Sequence, residues 1–254
     1  MNQRARLDKS ADPAGIRALA TEVRSLLAAF LDTTQFVHSR VSFLDRIERF
    51  TGMIAHWGAR MNLTSEPDNP QELSFHIIDS LMPIILANDE ELLRQAFSVG
   101  NHVLDLGSGA GFPGLVLASA SAANFTLTES RRKRSSFLAL AAAEMKLINV
   151  RVQSQRITPG HLSCGSLSAD GRTGVCGYFD VVAARGYAVP RVFHATAGAA
   201  LRRAGIAILY GNRGQELDSA EAAKNGLIEF RPLNYTVSRQ DSTVARILGL
   251  WRRQ

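Results

Sequence analysis

An apolar run that breaks into closely spaced glycines constrains this chain more than any other stretch. Residues Val103, Leu104, Asp105 and Leu106 lead into Gly107-Ser108-Gly109-Ala110-Gly111-Phe112-Pro113-Gly114, and a helical pattern follows. Strand, tight glycine turn and helix in that order make the opening unit of a doubly wound α/β sheet, with the turn at the edge where such sheets bind ligands. Glycines let the backbone turn sharply and approach a ligand without a side-chain clash, and Pro113 suits the first turn of the helix that follows. The turn therefore reads as a cofactor site.

Spacing alone does not choose the cofactor. Counted from Gly107, the dinucleotide fingerprint Gly-x-Gly-x-x-Gly fails at Phe112; counted from Gly109, it is met by Gly111 and Gly114. Asp105 breaks the tie. A carboxylate just before the first glycine is awkward beside a pyrophosphate and useful beside a ligand that carries an ammonium and a sulfonium, as S-adenosylmethionine (SAM) does. The next apolar run, Phe125 to Thr128, ends in Glu129. An acid there can accept hydrogen bonds from both ribose hydroxyls, and NAD enzymes use the same device, so Glu129 is neutral between the two.

Charge is distributed unevenly. Residues 1–100 hold 10 Lys and Arg against 13 Asp and Glu, and residues 101–254 hold 19 against 10, so the cofactor half is the basic half. A basic surface attracts polyanions, which favours a nucleic-acid substrate over solvated surface alone. No segment approaches the roughly 20 apolar residues of a membrane helix and the first residues lack a secretory apolar stretch, so the cytoplasm is expected. Cys164 and Cys176, with His161, give three metal ligands where a structural zinc needs four, so no metal is expected.

Along the chain, residues 1–12 are polar, and residues 14–31 have a helical pattern. Phe43, Ile47, Phe50, Ile54, Trp57 and Met61 recur at spacings of three and four, the stripe of an amphipathic helix. Asn69, Pro70 and Glu72 give an N-cap, a first-turn proline and an acid at the third helical position, which predicts a helix through His76 and Asp79 to residue 87. A short helix over 89–97 follows. Beyond His102, strands at 103–106, 125–128, 150–153, 179–183 and 206–210 alternate with helices, a mostly parallel sheet. The tail fits two further strands, 230–238 and 244–251, added antiparallel without a crossover helix. Residues 158–177 read as an extended loop rich in Gly and Ser. The domain organisation expected is a helical extension over 1–100 and a SAM-binding methyltransferase domain over 101–254.

Several separate words now coincide: His56-Trp57 followed by Met61-Asn62-Leu63-Thr64-Ser65, His76-Ile77-Ile78-Asp79-Ser80, the glycine loop ending in Phe112-Pro113-Gly114, Glu129-Ser130 with Lys133-Arg134 and Phe137-Leu138, and Ala184-Arg185. In this order the chain resembles the ribosomal RNA small-subunit methyltransferase G family, also called glucose-inhibited division protein B, over most of residues 40–215. The resemblance implies a SAM-dependent enzyme that methylates N7 of a guanine in 16S rRNA, a Rossmann-like fold, and 16S RNA or the small ribosomal subunit as partner; a monomer is expected. Its implied cofactor residues are Gly107 and Phe112 at the methionine and ribose, with Gly109 in the same loop beside Asp105. Glu129 meets the ribose, Ile157 and Thr158 flank the adenine, and Arg185 lies near the methyl group and target base. Arg156, Arg185, Lys133 and Arg134 are the RNA contacts expected.

Three positions depart from the family pattern. Phe75 replaces the usual Arg before His76, Thr158 stands where an acid is common, and Leu209-Tyr210-Gly211-Asn212-Arg213 lacks the lysine of a Leu-Lys-Gly segment. Arg213 can supply that charge but not its geometry. These departures keep two alternatives open: a SAM enzyme for a small molecule, and a non-catalytic paralogue that binds RNA or SAM. Guanine N7 has a free lone pair, so the implied reaction needs positioning rather than a base, and arginine suits that task. Arg131 to Arg134 open a helix, where cations oppose the dipole, so stability alone would not select them. Trp57, on the apolar stripe, reads as core, and the His76 and Asp79 pair as a structural hydrogen bond.

Overall fold

The computed structural model describes residues 12–34, 39–159, 178–239 and 242–254. Three long helices come first: α1 (Pro13–Asp32), α2 (Arg40–Met61) and α3 (Pro70–Ile85). The stripe predicted for α2 is present, with Phe43, Ile47, Phe50 and Ile54 buried and Trp57 and Met61 partly buried against the same core. Asn69 caps α3 as predicted, its side-chain oxygen accepting from the backbone N–H groups of Gln71 and Glu72. The short helix expected over 89–97 shrinks to a 3₁₀ turn (Leu86–Asn88) and four residues, α4 (Glu91–Arg94).

The α/β part then alternates as β1 (His102–Leu106), α5 (Gly114–Ser119), β2 (Asn124–Thr128), α6 (Arg132–Glu144), β3 (Val150–Gln153), β4 (Phe179–Arg185), α7 (Pro190–Ala200) and β5 (Leu201–Asn212). It closes with α8 (Ser219–Lys224), β6 (Leu227–Glu229), β7 (Leu233–Arg239) and β8 (Ser242–Arg253). Pro113 is the N-cap of α5 rather than a residue of its first turn. The helix α8 and strand β6 were not expected: each is short, and the tail pattern contained only the two longer strands.

The strand order is β3-β2-β1-β4-β5-β8, with β6 and β7 pairing successive parts of the far edge of β8. β1 to β5 are mutually parallel and β8 runs antiparallel to β5, so the fold is the doubly wound sheet with an antiparallel C-terminal addition. Side chains alternate across the pleat: Val103, Val181 and Ala183 join the core beneath α1 to α3, while Leu104, Val182 and Ala184 join the one beneath α7 and α8. Because α1 to α3 share the first core with β1, β2 and α6, the N-terminal helices are packed onto the sheet. The order of chain travel reverses between β1 and β4, and ligands bind outside the strand ends at such a switch point. Among the described residues no helix is long and apolar enough to cross a membrane. His161, Cys164 and Cys176, with all but the first two residues of the loop assigned to 158–177, lie outside the described residues.

Candidate cofactor and substrate site

The glycine turn after β1 is held from below. The Ser108 amide donates to the Thr128 carbonyl at 2.9 Å, and the Thr128 hydroxyl donates to the Asp105 carbonyl at 3.0 Å. Gly107 has φ +71°, where an L side chain is strained, and a Cβ there would meet the Tyr187 ring at 2.9 Å. Gly114 is required for closeness: a Cβ would lie 2.3 Å from Leu127 and 2.4 Å from an Asp105 oxygen. The turn thus runs tightly between the end of β2 and the segment after β4.

A cavity of about 260 Å³ opens over this turn, lined by Gly107, Gly109, Glu129, Arg134, Arg156 and Ile157 among the residues expected, and by Gly186 and Tyr187 after β4. The Tyr187 hydroxyl donates to the Ile157 carbonyl, tying the segment after β4 to the one after β3. One oxygen of Glu129 accepts from the Arg131 amide at 2.7 Å, which orients the carboxylate at the carboxyl end of β2. A larger hollow of about 460 Å³ lies at the opposite ends of the strands, around Asp180, Arg202 and Arg252. No glycine turn and none of the predicted site residues faces it, so the smaller cavity is the candidate site.

Other expected residues stand behind or beside this cavity. Asp105 is buried beneath the turn, with one carboxylate oxygen accepting from the Gly114 amide at 3.1 Å and the other without a partner. Burial pushes its carboxyl up to about 6. The Ser108 side chain and the Gly114 amide work against that rise. Thr158 is partly buried next to Ile157, outside the cavity lining. Lys133 is exposed on α6. The Phe112 ring turns away from the cavity, edge-on to Phe50 at 5.3 Å and 5.2 Å from the His76 ring.

Arg185 is the bridge between the glycine turn and α3. Its guanidinium carbon lies 5.1 Å from the Phe112 ring centre, and it donates to Asp79 Oδ2 at 3.0 Å and to the His76 carbonyl at 3.2 Å. Asp79 is buried and also accepts from Arg246 at 3.0 and 3.1 Å and from the Tyr235 hydroxyl at 2.7 Å. The expected pairing of His76 with Asp79 is therefore replaced. Asp79 serves two arginines and a tyrosine, and His76 Nε2 lies 3.4 Å from Glu72. Burial first, and then the Arg185 charge, push His76 down to about 3, so it is neutral at physiological pH.

Glu72 does not fold back onto Asn69 as a capping acid. It receives Arg239 in a two-pronged contact at 2.6 and 2.8 Å, and that guanidinium lies 5.3 Å from the Phe75 ring centre. The cation missing at Phe75 is thus supplied at this place by β7. Tyr210, in the segment without lysine, is buried and donates to the Ser80 carbonyl at 2.8 Å, while Arg213 is exposed. Arg239, Tyr235 and Arg246 were missed from the sequence. Their signal was present: each falls on the face of its strand that otherwise carries Leu233, Val237, Val244 and Leu248.

Comparison with known proteins now bears on this geometry. The sequence pattern of the rRNA small subunit methyltransferase G family matches residues 44–242. The chain belongs to this family. Curated members include ribosomal RNA small subunit methyltransferase G of Acidiphilium cryptum, 42% identical over 123 residues, which are 46% of this chain and 52% of that protein. The Rickettsia bellii protein of the same name is 33% identical over 125 residues, 49% of this chain and 60% of its own length. The chain thus spans between half and two thirds of these relatives. A solved structure, described as a sarcosine dimethylglycine methyltransferase from Galdieria sulphuraria, shares the fold with a TM-score of 0.51 at 11% identity, covering 73% of this chain and 88% of that one.

Proposed function

We propose that the chain is a SAM-dependent methyltransferase that places a methyl group on N7 of a guanine in 16S rRNA, acting on the RNA or on the small ribosomal subunit in the cytoplasm. The observation that carries this reading is the coincidence of the family match with a glycine-floored cavity at the switch point of the sheet. In this reading Glu129 holds the ribose, Ile157 borders the adenine, Gly107 and Gly109 floor the methionine end, and Asp105 complements the ammonium from beneath the turn. SAM supplies an electrophilic methyl on a cationic sulfur.

The surrounding residues suit a reaction that removes no proton before attack. His76 is held neutral by burial, and Asp79 is saturated by three donors. Neither is poised as a base, and guanine N7 needs none. What remains is orientation, and a guanidinium anchored by Asp79 and His76 beside the turn can hold a purine or phosphate in a fixed geometry. Arg131, Arg132 and Lys133 are exposed at the start of α6, and Arg156 at the cavity mouth, which suits phosphate contacts.

The test is transfer of labelled methyl from SAM to small ribosomal subunits that lack the modification, with the product base identified by mass spectrometry. 7-Methylguanine in 16S rRNA is the expected product. SAM binding without transfer to RNA would instead favour a small-molecule substrate or a non-catalytic role.

Asp105 adds a pH signature. Its carboxyl is raised to about 6 in the free protein, so this group stabilises the ligand-free fold most below about pH 4, and that contribution is lost as pH rises through 6. A cationic ligand favours the ionised form, so binding releases a proton and weakens as pH falls below 6. SAM affinity is expected to be about tenfold lower at pH 5 than at pH 7.5. Asp105→Asn should flatten that profile, and an equally steep profile in the variant would remove Asp105 from the ammonium.

A further inference from the structure

We propose that Arg134 receives the amino-acid carboxylate of the methyl donor, at the Gly109 end of the cavity. The inference rests on the SAM reading above and moves Arg134 from the RNA surface to the cofactor. Arg134 is the third residue of α6, yet its side chain does not continue the exposed row of Arg131, Arg132 and Lys133. It turns into the cavity, where Nη1 lies 3.9 Å from the position a Cβ on Gly109 would take.

The guanidinium is fixed by one bond and opens to the cavity through Nη1. Nη2 donates to the carbonyl of Asn62, the left-handed C-cap of α2 at φ 51°. Nε is buried and has no hydrogen-bond partner. Arg185 and Arg246 share Asp79, and Arg239 holds Glu72, whereas Arg134 makes no ion pair among the described residues. The Nη1 group, by contrast, faces the cavity and has no hydrogen-bond partner among the described residues, so its acceptor is to be sought in a ligand. Two N–H groups of a planar fork match a carboxylate in geometry and charge.

With Glu129 at the ribose and Ile157 at the adenine, as the proposed function has them, Gly107, Gly109 and Arg134 are left in the same cavity for the amino-acid tail. The zwitterionic tail then meets opposite charges, with its ammonium toward Asp105 beneath the turn and its carboxylate at Arg134.

Calorimetric titration of wild type, Arg134→Met and Arg134→Lys with S-adenosylhomocysteine and with 5′-methylthioadenosine, which lacks the amino-acid tail, tests this. Arg134→Met should weaken S-adenosylhomocysteine binding about 10- to 100-fold and leave 5′-methylthioadenosine unchanged, with Arg134→Lys recovering part of the loss. Affinity for a 16S rRNA fragment and its salt dependence should be unaltered. Parallel loss of both nucleosides would overturn the assignment in favour of a structural role at the turn. Unchanged S-adenosylhomocysteine binding with weaker, less salt-dependent RNA binding would return Arg134 to the RNA. If wild type bound neither nucleoside, the cofactor reading itself would fall, and this assignment with it.

Discussion

Asp79→Ala is expected to lower the free energy of unfolding by about 3–5 kcal/mol, the largest stability loss from a single polar substitution in this chain. The reason is the ratio of charges. The Arg185 and Arg246 side chains are 14% and 12% exposed, and both rely on this one carboxylate. Removing it leaves two guanidiniums desolvated and unpaired, and strips the Tyr235 hydroxyl of its acceptor. Urea unfolding measures the effect as a fall in midpoint without a change in slope. Adding Arg246→Met should restore part of the loss, because it removes one of the two stranded cations. Glu72→Ala should cost less, since its partner Arg239 is 42% exposed and water can solvate the cation that remains. A loss below about 1 kcal/mol for Asp79→Ala would mean that the arginines find other acceptors, and the anchoring of Arg185 would have to be abandoned.

This cluster also marks the limit of what could be read from the sequence. The fold was legible because its strands are local events. Val103 to Leu106, Phe125 to Thr128 and Phe179 to Ala183 are apolar runs bounded by turn residues, and their alternation with helices leaves little topological choice. The floor of the site was legible for the same reason, since the Gly107 to Gly114 turn is a single continuous segment and Glu129 closes the next strand. The partners of Asp79 were not, because Arg185, Tyr235 and Arg246 lie 106 to 167 residues away, and no periodicity reports such a contact. Tyr235 and Arg246 are direct neighbours across β7 and β8, so the polar pair is fixed by strand register, which only the folded sheet defines. Side-chain direction was equally hidden. Lys133 and Arg134 are adjacent in sequence, yet one faces solvent and the other the cavity. Phe112 is in the glycine turn, but its ring belongs to the contact with α2 and α3.

Gly107→Asp is the substitution with the largest expected effect on the site. Its φ of +71° disfavours any side chain, and the space above it is already taken by the Tyr187 ring. A side chain there must displace Tyr187, whose hydroxyl joins the segments after β3 and β4, and so distorts the cavity from two sides. The new carboxylate would also lie close to Asp105 and Glu129. Gly107 itself lies outside the cores on either face of the sheet and Tyr187 only borders one of them, so the variant should fold and lose the ligand.

The central claim is that the cavity over the glycine turn is a SAM site, and its most direct measurement is a calorimetric titration of wild type and Gly107→Asp with SAM and with NAD. The account predicts saturable one-to-one binding of SAM to wild type, no binding of NAD, and loss of SAM binding by at least about 100-fold in a Gly107→Asp protein that still unfolds cooperatively. SAM binding retained in the variant, or NAD bound in preference to SAM by wild type, would contradict it.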